Sequence, residues 1–225
     1  MPRAMSSFVA LPLTPGLVHH TAPYSLRALG PDAAPHALGA DGTTTLFVTA
    51  GRVALRGARF EATLTAPAWA VLAEPTALVA RTDDARALAL DDPTHRGLTQ
   101  LGPTLEARGR LRYVDGCTDS LLVCPPRLGE PCLNHLHIPA GTRQSAHHHP
   151  SIRVGVIARG HGRCVSAVGE HALSPGLGWL IPAGLVHAFH TDDAPLDVLA
   201  WHPDSDFGPR DEDHPMINRT ILRDR

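Results

Sequence analysis

Apolar residues occur along the chain in short runs that Gly and Pro repeatedly interrupt, and no long segment keeps the period of a helix between good caps. The chain contains 20 Gly and 21 Pro, and its apolar runs are rich in Val, Leu and Ala. Examples are TTTLFVTAGRVALRG, EATLTAPAWAVLAEP, NHLHIPAG, SIRVGVIARGHGRCVSAVG, LGWLIPAG and LDVLAWHP. Short strands at this spacing predict an all-β protein built as a sandwich or a barrel.

The two halves of the chain share a weak internal repeat. Residues 82–85 and 191–194 both read TDDA, and the separation of 109 residues between them also pairs Gly51 with Gly160. Two separated matches in one register predict an internal duplication. We therefore expect three regions: a first lobe (1–95), a linker (96–120), and a second lobe with a C-terminal tail (121–225).

Composition and charge point to a small-molecule partner. The chain has 225 residues, of which 43% are hydrophobic and 19% charged, which suits a compact globular protein. Its formal net charge is -2 and all 20 basic residues are Arg, so there is no basic excess typical of binding to nucleic acid or a membrane surface. The first apolar run is broken by Pro12 and Pro15, which is untypical of a signal peptide or membrane span, and we expect a cytoplasmic protein.

Histidines in the second half have a spacing that predicts a metal site. On a strand, residues two apart face the same side, so His147 and His149 point inward, His148 points away, and parity also directs Arg153 inward. The turn residues of LIPAG then bring His187 opposite them. Three converging imidazoles suit Fe, Zn, Cu, Ni or Mn and leave positions open for water, substrate or dioxygen. The alternative from the same residues is a polar loop and a core histidine.

These residues resemble the two motifs of the cupin superfamily, G-x5-H-x-H-x3-4-E-x6-G and G-x5-P-x-G-x2-H-x3-N. Residues 141–160 and 176–191 match every fixed position except two: Arg153 replaces the glutamate and Thr191 replaces the final asparagine. The resemblance is strong over about residues 133–202. It implies double-stranded β-helix (jelly-roll) barrels, and through the internal repeat it extends weakly over the first half.

The repeat also indicates which lobe holds the metal. A separation of 109 residues places Leu38, Ala40 and Leu78 at the first-lobe positions of His147, His149 and His187. None of these three side chains can bind a metal ion. Together with the resemblance, this predicts a bicupin with a degenerate first lobe and a metal-binding second lobe.

Of the two positions that differ from the cupin motifs, Arg153 matters most for function. A divalent ion and a guanidinium about 5 Å apart repel by several kcal/mol at an effective dielectric constant of about 20, so an anion must offset Arg153. The arginine either binds a substrate carboxylate or enolate, pairs with a protein acid such as one in PDSDFGPRDEDHP, or has abolished metal binding.

The histidine set is similar to that of cupin enzymes such as cysteine and gentisate dioxygenases, some of which use arginine for the substrate carboxylate. The resemblance thus implies a mononuclear non-haem dioxygenase that uses Fe(II) and acts on a small, anionic carboxylate- or enol-bearing metabolite. Two alternatives remain open. One is a non-oxidative isomerase, cyclase or lyase of specialised metabolism that uses Zn, Ni or Mn, and the other is a non-catalytic ligand-binding or sensing cupin.

Further residues are candidates for the same pocket. His135 and His137 share one strand face and are candidate catalytic acids or bases beside Arg153, although an outward, solvated pair fits the pattern equally well. Phe189 and Thr191 share the parity of His187 and are expected to line the substrate pocket. We also expect a homodimer.

Overall fold

The computed structural model describes residues 7–102, 105–214 and 221. Within these residues the chain forms strands and one short 3₁₀ helix (Val114–Gly116), with no α-helix. The strands before residue 103 are β1 (Val9–Pro12), β2 (Val18–Thr21), β3 (Tyr24–Leu29), β4 (His36–Leu38), β5 (Thr43–Ala50), β6 (Arg52–Gly57), β7 (Glu61–Thr65), β8 (Ala68–Leu72), β9 (Thr76–Ala80), β10 (Arg86–Asp92) and β11 (Gln100–Gly102). The later strands are β12 (Leu111–Arg112), β13 (Thr118–Val123), β14 (Cys132–Ile138), β15 (Arg153–Gly160), β16 (Gly162–Ser166), β17 (Gly169–Leu173), β18 (Leu177–Ile181), β19 (His187–His190) and β20 (Leu196–His202).

The strands form four antiparallel sheets, two in each half of the chain. The first half has a six-stranded sheet in the order β11-β8-β5-β10-β3-β2 and a four-stranded sheet in the order β4-β9-β6-β7. The second half has a seven-stranded sheet in the order β1-β18-β15-β20-β14-β13-β12 and a three-stranded sheet in the order β17-β16-β19. The all-β jelly-roll prediction is confirmed, and no described residue belongs to a helix that could cross a bilayer.

Three hydrophobic cores hold these sheets together. One lies inside the first half around Leu46 and Leu55, and one lies inside the second half around Ile157 and Trp179. The third draws side chains from both large sheets, including Phe47, Leu88, Val156 and Leu199. The large sheets therefore bury both of their faces, which explains why their strands read as nearly continuous apolar runs.

Alternation along β15 determines what enters the second barrel. Val154 and Val156 point into the core between the large sheets, whereas Arg153 and Ile157 point into the barrel. Successive side chains of a strand face opposite sides, so burying the two valines directs Arg153 inward.

Strand positions differ from the expected lobe boundaries. β1, inside the expected first lobe, pairs with β18 of the second half, and β11, inside the expected linker, pairs with β8 of the first half. Short edge strands are held mainly by backbone hydrogen bonds and need no apolar run, so the hydrophobic pattern gives little indication of them. The division at residues 95 and 121 remains a prediction.

Two motif glycines allow a test of the barrel turns. Gly160 and Gly176 both have a positive φ, of +74° and +88° respectively. A Cβ atom added to Gly160 would lie 1.8 Å from the Pro195 carbonyl oxygen, whereas one added to Gly176 would have no neighbouring atom within 4 Å. Gly176→Ala should cost about 1–2 kcal/mol of stability from the backbone alone. Gly160→Ala should cost roughly 2–5 kcal/mol, because the turn must also move. Denaturant unfolding of both variants measures the difference, and equal losses would contradict the close packing at Gly160.

Candidate metal centre

A cavity of about 350 Å³ opens into the second barrel. Its wall includes the motif histidines His147, His149 and His187 together with Arg153. One ring nitrogen from each of the three histidines lies within 4.8 Å of the other two. Among the described residues, this is the one group of three or more His, Cys, Asp or Glu side chains with metal-binding spacing.

Backbone hydrogen bonds bring the three histidines together. The His147 N–H donates to the His187 carbonyl at 3.0 Å, and the His187 N–H donates back to the His147 carbonyl at 2.9 Å. The Gly184 N–H donates to the His149 carbonyl at 2.8 Å, which ties the turn of the second motif to the first. His147 and His149 thus lie in an extended segment between β14 and β15, outside any long strand.

Ring orientation is fixed at two of the three histidines. The Nδ1 atom of His147 lies 2.8 Å from the Ser145 carbonyl oxygen, and the Nδ1 atom of His187 lies 2.9 Å from the Leu185 carbonyl oxygen. A carbonyl oxygen only accepts, so each Nδ1 carries the proton and each Nε2 presents a lone pair. Metal-binding histidines commonly have this arrangement.

Two of the three histidines, His149 and His187, are in the protonation state that a metal requires. Burial, reinforced by the Arg153 charge, lowers the pKa of His149 to about 3. Burial likewise lowers the pKa of His187 to about 4. Both rings are neutral at physiological pH and can donate lone pairs. Because Zn–N bonds are about 2.0–2.1 Å long, small side-chain rotations suffice to bring the three nitrogens onto one ion. The donor set therefore fits a divalent transition metal.

The segment that carries His147 is anchored from outside the barrel. Asp115 has a positive φ of 54° and accepts hydrogen bonds from the Ser145 backbone N–H at 2.6 Å and the Ser145 hydroxyl at 3.1 Å. The buried Gln144 accepts a hydrogen bond from the Phe189 N–H at 3.1 Å. The Asp115 contacts hold the first-motif segment against the 3₁₀ helix, and the Gln144 contact holds it against β19.

Arg153 is held from one side only. Its Nη1 donates to the Ser151 hydroxyl at 2.6 Å and to the Ile152 carbonyl at 3.1 Å. Asp204 lies 3.8 Å from Nη1, is 48% exposed, and accepts a hydrogen bond from Ser151 at 2.5 Å. So long a contact with a half-exposed carboxylate is a weak ion pair. Within the described part of the chain, Nε and Nη2 of Arg153 make no hydrogen bond, which leaves that edge of the guanidinium available to a ligand.

His135 and His137 do not line this cavity, which corrects the expectation from strand parity. The lining residues of β14 are Asn134 and Leu136, on the opposite face. His135 Nε2 and His137 Nδ1 instead contact one oxygen of Asp197 at 3.0 and 2.8 Å, and Arg159 donates to its other oxygen at 2.7 Å. The His135 side chain is only 1% exposed and that of His137 16%, so neither is the freely solvated histidine that the alternative expectation described. Both faces of β14 are buried, so parity could not indicate which face meets the cavity.

The remaining predicted residues occupy different places. Phe189 lies in the cavity wall, with its ring centre 5.8 Å from those of His187 and Trp179. Thr191 is absent from the wall, which corrects the second parity expectation: it is fully buried, its hydroxyl donates to the Pro139 carbonyl, and it accepts from the Thr142 N–H. It follows the end of β19, where alternation no longer applies. His148 is exposed.

Sequence reasoning missed several wall residues. They are Tyr113, Asp119, Gln144, Trp179 and His202. Asp119, Trp179 and His202 lie on strands whose inward face is decided by pairing with a distant strand, whereas Tyr113 and Gln144 lie outside the strands. Trp179 had the clearest sequence signal, because an aromatic residue two positions before Ile181 shares its face in the apolar run LGWLI.

Comparisons with known proteins agree with this architecture. The sequence model of the AraC-like ligand binding domain matches residues 136–207. A cupin 2 conserved barrel domain protein from Leptotrichia buccalis is 14% identical with a TM-score of 0.61, over 91% of this chain and 92% of the other. Protein Ylba from E. coli is 14% identical with a TM-score of 0.60, over 92% and 96% of the two chains.

An enzyme also appears among the similar structures. A salicylate 1,2-dioxygenase from Pseudaminobacter salicylatoxidans is 12% identical with a TM-score of 0.61, over 80% of this chain and 70% of the other. None of the curated protein sequences compared matches the chain. At these identities the structural likeness establishes the fold, which is that of the cupins.

Removing any one ligand should empty the centre. His147→Ala, His149→Ala and His187→Ala should each lose most of the bound metal, because two imidazoles hold a divalent ion far less tightly than three. His148→Ala is the matched control, and it should keep about one ion per chain. Elemental analysis of the purified variants measures the content, and comparable loss from His148→Ala would show that the ligands are assigned incorrectly.

Lowering the pH should destabilise the metal-free protein through the buried imidazoles of His149 and His187. Between pH of about 6.5 and 4 the unfolded chain protonates His149 and His187 while the folded protein keeps them neutral, so stability falls as the pH falls through this window. A His149→Gln, His187→Gln double variant should lose part of this dependence. Denaturant unfolding at several pH values compares the two proteins, and an unchanged pH slope would contradict the buried, neutral state of the rings.

Proposed function

We propose that this protein is a metal-dependent cupin enzyme, a mononuclear non-haem dioxygenase that acts on a small carboxylate- or enol-bearing metabolite. His147, His149 and His187 would hold one divalent ion, with Fe(II) the favoured metal. Such an ion leaves coordination positions for other ligands and acts as a Lewis acid or redox centre. The salicylate 1,2-dioxygenase with the same fold supports an oxygenase, and the identity of 12% makes this support general rather than specific.

The observation that carries the proposal is the guanidinium of Arg153, which lies in the same cavity wall as the three histidines and donates hydrogen bonds from only one of its three nitrogens in the described residues. Its Nη1 is occupied by Ser151 and Ile152, while Nε and Nη2 have no hydrogen bond in the described residues. Arg153 lines the cavity, so that edge is available to an anionic ligand. An arginine edge of this kind binds a carboxylate through two parallel hydrogen bonds.

The rest of the wall fits the body of such a ligand. Leu136, Trp179, Ile181, Phe189 and Ala200 form an apolar surface around the histidines. An anion with an apolar or aromatic body would place its carboxylate at Arg153 and its body against these side chains. The same surface limits the access of water to the histidines, which strengthens electrostatic interactions there.

We further propose that the chain is a bicupin whose first lobe has no catalytic role. The halves share the strand order β8-β5-β10-β3 and β18-β15-β20-β14 in their large sheets. Leu38 and Leu78, at the positions corresponding to His147 and His187, are buried in the first-half core. Apolar side chains thus fill the interior of the first barrel, where the second barrel has its cavity. The first lobe would then contribute the surface against which β15 and β20 pack.

A ligand-sensing role is the second candidate. The match to the AraC-like ligand binding domain over residues 136–207 favours it, since this segment contains all three histidines and Arg153. In that case the cavity would bind its anion without turnover.

Metal analysis followed by an oxygen assay separates these functions. Protein purified without added metal should contain about one iron per chain, and the iron-loaded protein should consume oxygen with a member of a hydroxybenzoate and β-dicarbonyl panel. Stoichiometric zinc or nickel without oxygen uptake would favour the non-oxidative enzyme. No metal under any loading would contradict a metalloenzyme and favour sensing.

Arg153 should govern anion binding without holding the metal. With salicylate as the probe, Arg153→Ala should weaken binding by about 1.5–3 kcal/mol, while metal content stays the same or rises as charge repulsion is relieved. Arg153→Lys should restore little, because an ammonium cannot form the bidentate contact. Calorimetry and elemental analysis provide the two readouts.

Arg112→Ala is the matched control, since Arg112 lies in the same wall but is exposed. It should weaken salicylate binding much less. Equal effects of the two alanine variants would mean that general positive charge, and not the Arg153 contact, attracts the anion.

A further inference from the structure

Asp119 is an acidic side chain placed among leucines in the cavity wall. It lies on β13, where the register pairs it with Leu111 of β12 on one side and Leu136 of β14 on the other. All three residues line the cavity that contains the histidines. Directly paired strand residues face the same side of a sheet, so the two leucines flank the carboxyl group.

The carboxyl group of Asp119 has no partner, in contrast to the other acids around this barrel. Asp197 contacts His135, His137 and Arg159, and Asp115 holds Ser145. Across the described ranges, Asp119 makes neither a side-chain hydrogen bond nor an ion pair. A half-buried carboxylate without a partner reduces stability, and its position facing a cavity indicates a role toward a ligand.

The surroundings make this group able to exchange protons near neutral pH. Burial raises the pKa of Asp119 to about 6, and the His135 charge opposes this only in part. The other ionisable groups near it are Arg112 and Tyr113 in the wall and Cys132 on β14. Burial raises the pKa of Tyr113 and of the Cys132 thiol, so both stay protonated at pH 7 and cannot accept a proton in its place.

We propose that Asp119 is the acid–base group of this cavity and accepts the proton of an ionisable hydroxyl on the bound ligand. The O–H bond of the ligand breaks, an O–H bond forms on the Asp119 carboxylate, and the ligand becomes an enolate or phenolate whose charge faces Arg153 and the histidines. The proton stays on Asp119 while the anion is bound, because the negative charge of the ligand raises the pKa of the neighbouring carboxyl group further, and it returns to solvent when the ligand leaves. This inference rests on the proposed function, and it identifies the substrate class as an enol or phenol.

Proton counting tests this role without measuring turnover. The probe is catechol, which is neutral in solution at pH 7 because phenols have a pKa near 10. Its ultraviolet absorbance reports the anion formed on binding to zinc-loaded protein, and calorimetry in two buffers with different ionisation enthalpies reports the protons released. Wild-type protein should release close to zero protons per anion formed, because Asp119 retains the proton. Asp119→Asn should release about one proton per anion, or bind catechol in its neutral form.

Two further variants complete the experiment. Asp119→Glu should return the proton count to the wild-type value, and Asp83→Asn, an exposed acid of the first half, should leave it unchanged. Release of about one proton per anion by the wild-type protein would overturn the role of Asp119, even if Asp119→Asn failed to fold. Failure of wild-type, zinc-loaded protein to bind either catechol or salicylate would instead overturn the proposed function on which this inference rests.

Discussion

The reciprocal backbone pair between His147 and His187 is the contact on which the candidate centre depends. It joins the segment after β14 to the start of β19, two stretches separated by 40 positions in the sequence, and places both imidazoles on the same side. Carbonyl groups two residues before each ring then orient Nδ1, so Nε2 points to a common position. His149 joins them through the Gly184 contact with its carbonyl group. Two of the three rings are thus oriented by the backbone before any ion binds, which lowers the entropic cost of binding one.

The charged side chains of Arg153 and Asp119 in the cavity wall form no ion pair with each other in the described part of the chain. Neutral imidazoles, the cationic Arg153 and the unpartnered Asp119 share one partly buried space, and each is costly alone in a low-dielectric environment. A divalent ion adds positive charge, which an anionic ligand at Arg153 offsets. Asp204 reaches Arg153 mainly through Ser151 and cannot supply that charge fully from its half-exposed position. The proposed preference for an anion would therefore come from the wall itself, independently of the metal.

The sequence predicted the all-β fold from interrupted apolar runs, and motif spacing predicted the three histidines that meet in the cavity. Parity also directed Arg153 inward correctly, because β15 packs its valines on the other face. Parity misplaced His135 and His137, since both faces of β14 are buried and only the sheet packing distinguishes them. Asp119 had no local signal at all: its environment comes from Leu111 and Leu136, whose register is set by hydrogen bonds between strands. The local sequence pattern thus predicts the three metal-binding histidines, whereas strand pairing between residues far apart in the sequence determines which side chains form the cavity wall around them.

The central claim is that three imidazoles of the second barrel bind one divalent ion. X-ray absorption spectroscopy of the protein loaded with one equivalent of iron or zinc tests it most directly, because the outer-shell scattering of imidazole rings reveals how many histidines bind. We expect three imidazole ligands, oxygen or nitrogen in the remaining positions, and no sulfur, since Cys117, Cys132 and Cys164 are buried away from the triad and Cys124 lies outside the cavity wall. A first shell that contains sulfur, or only one imidazole, would contradict it.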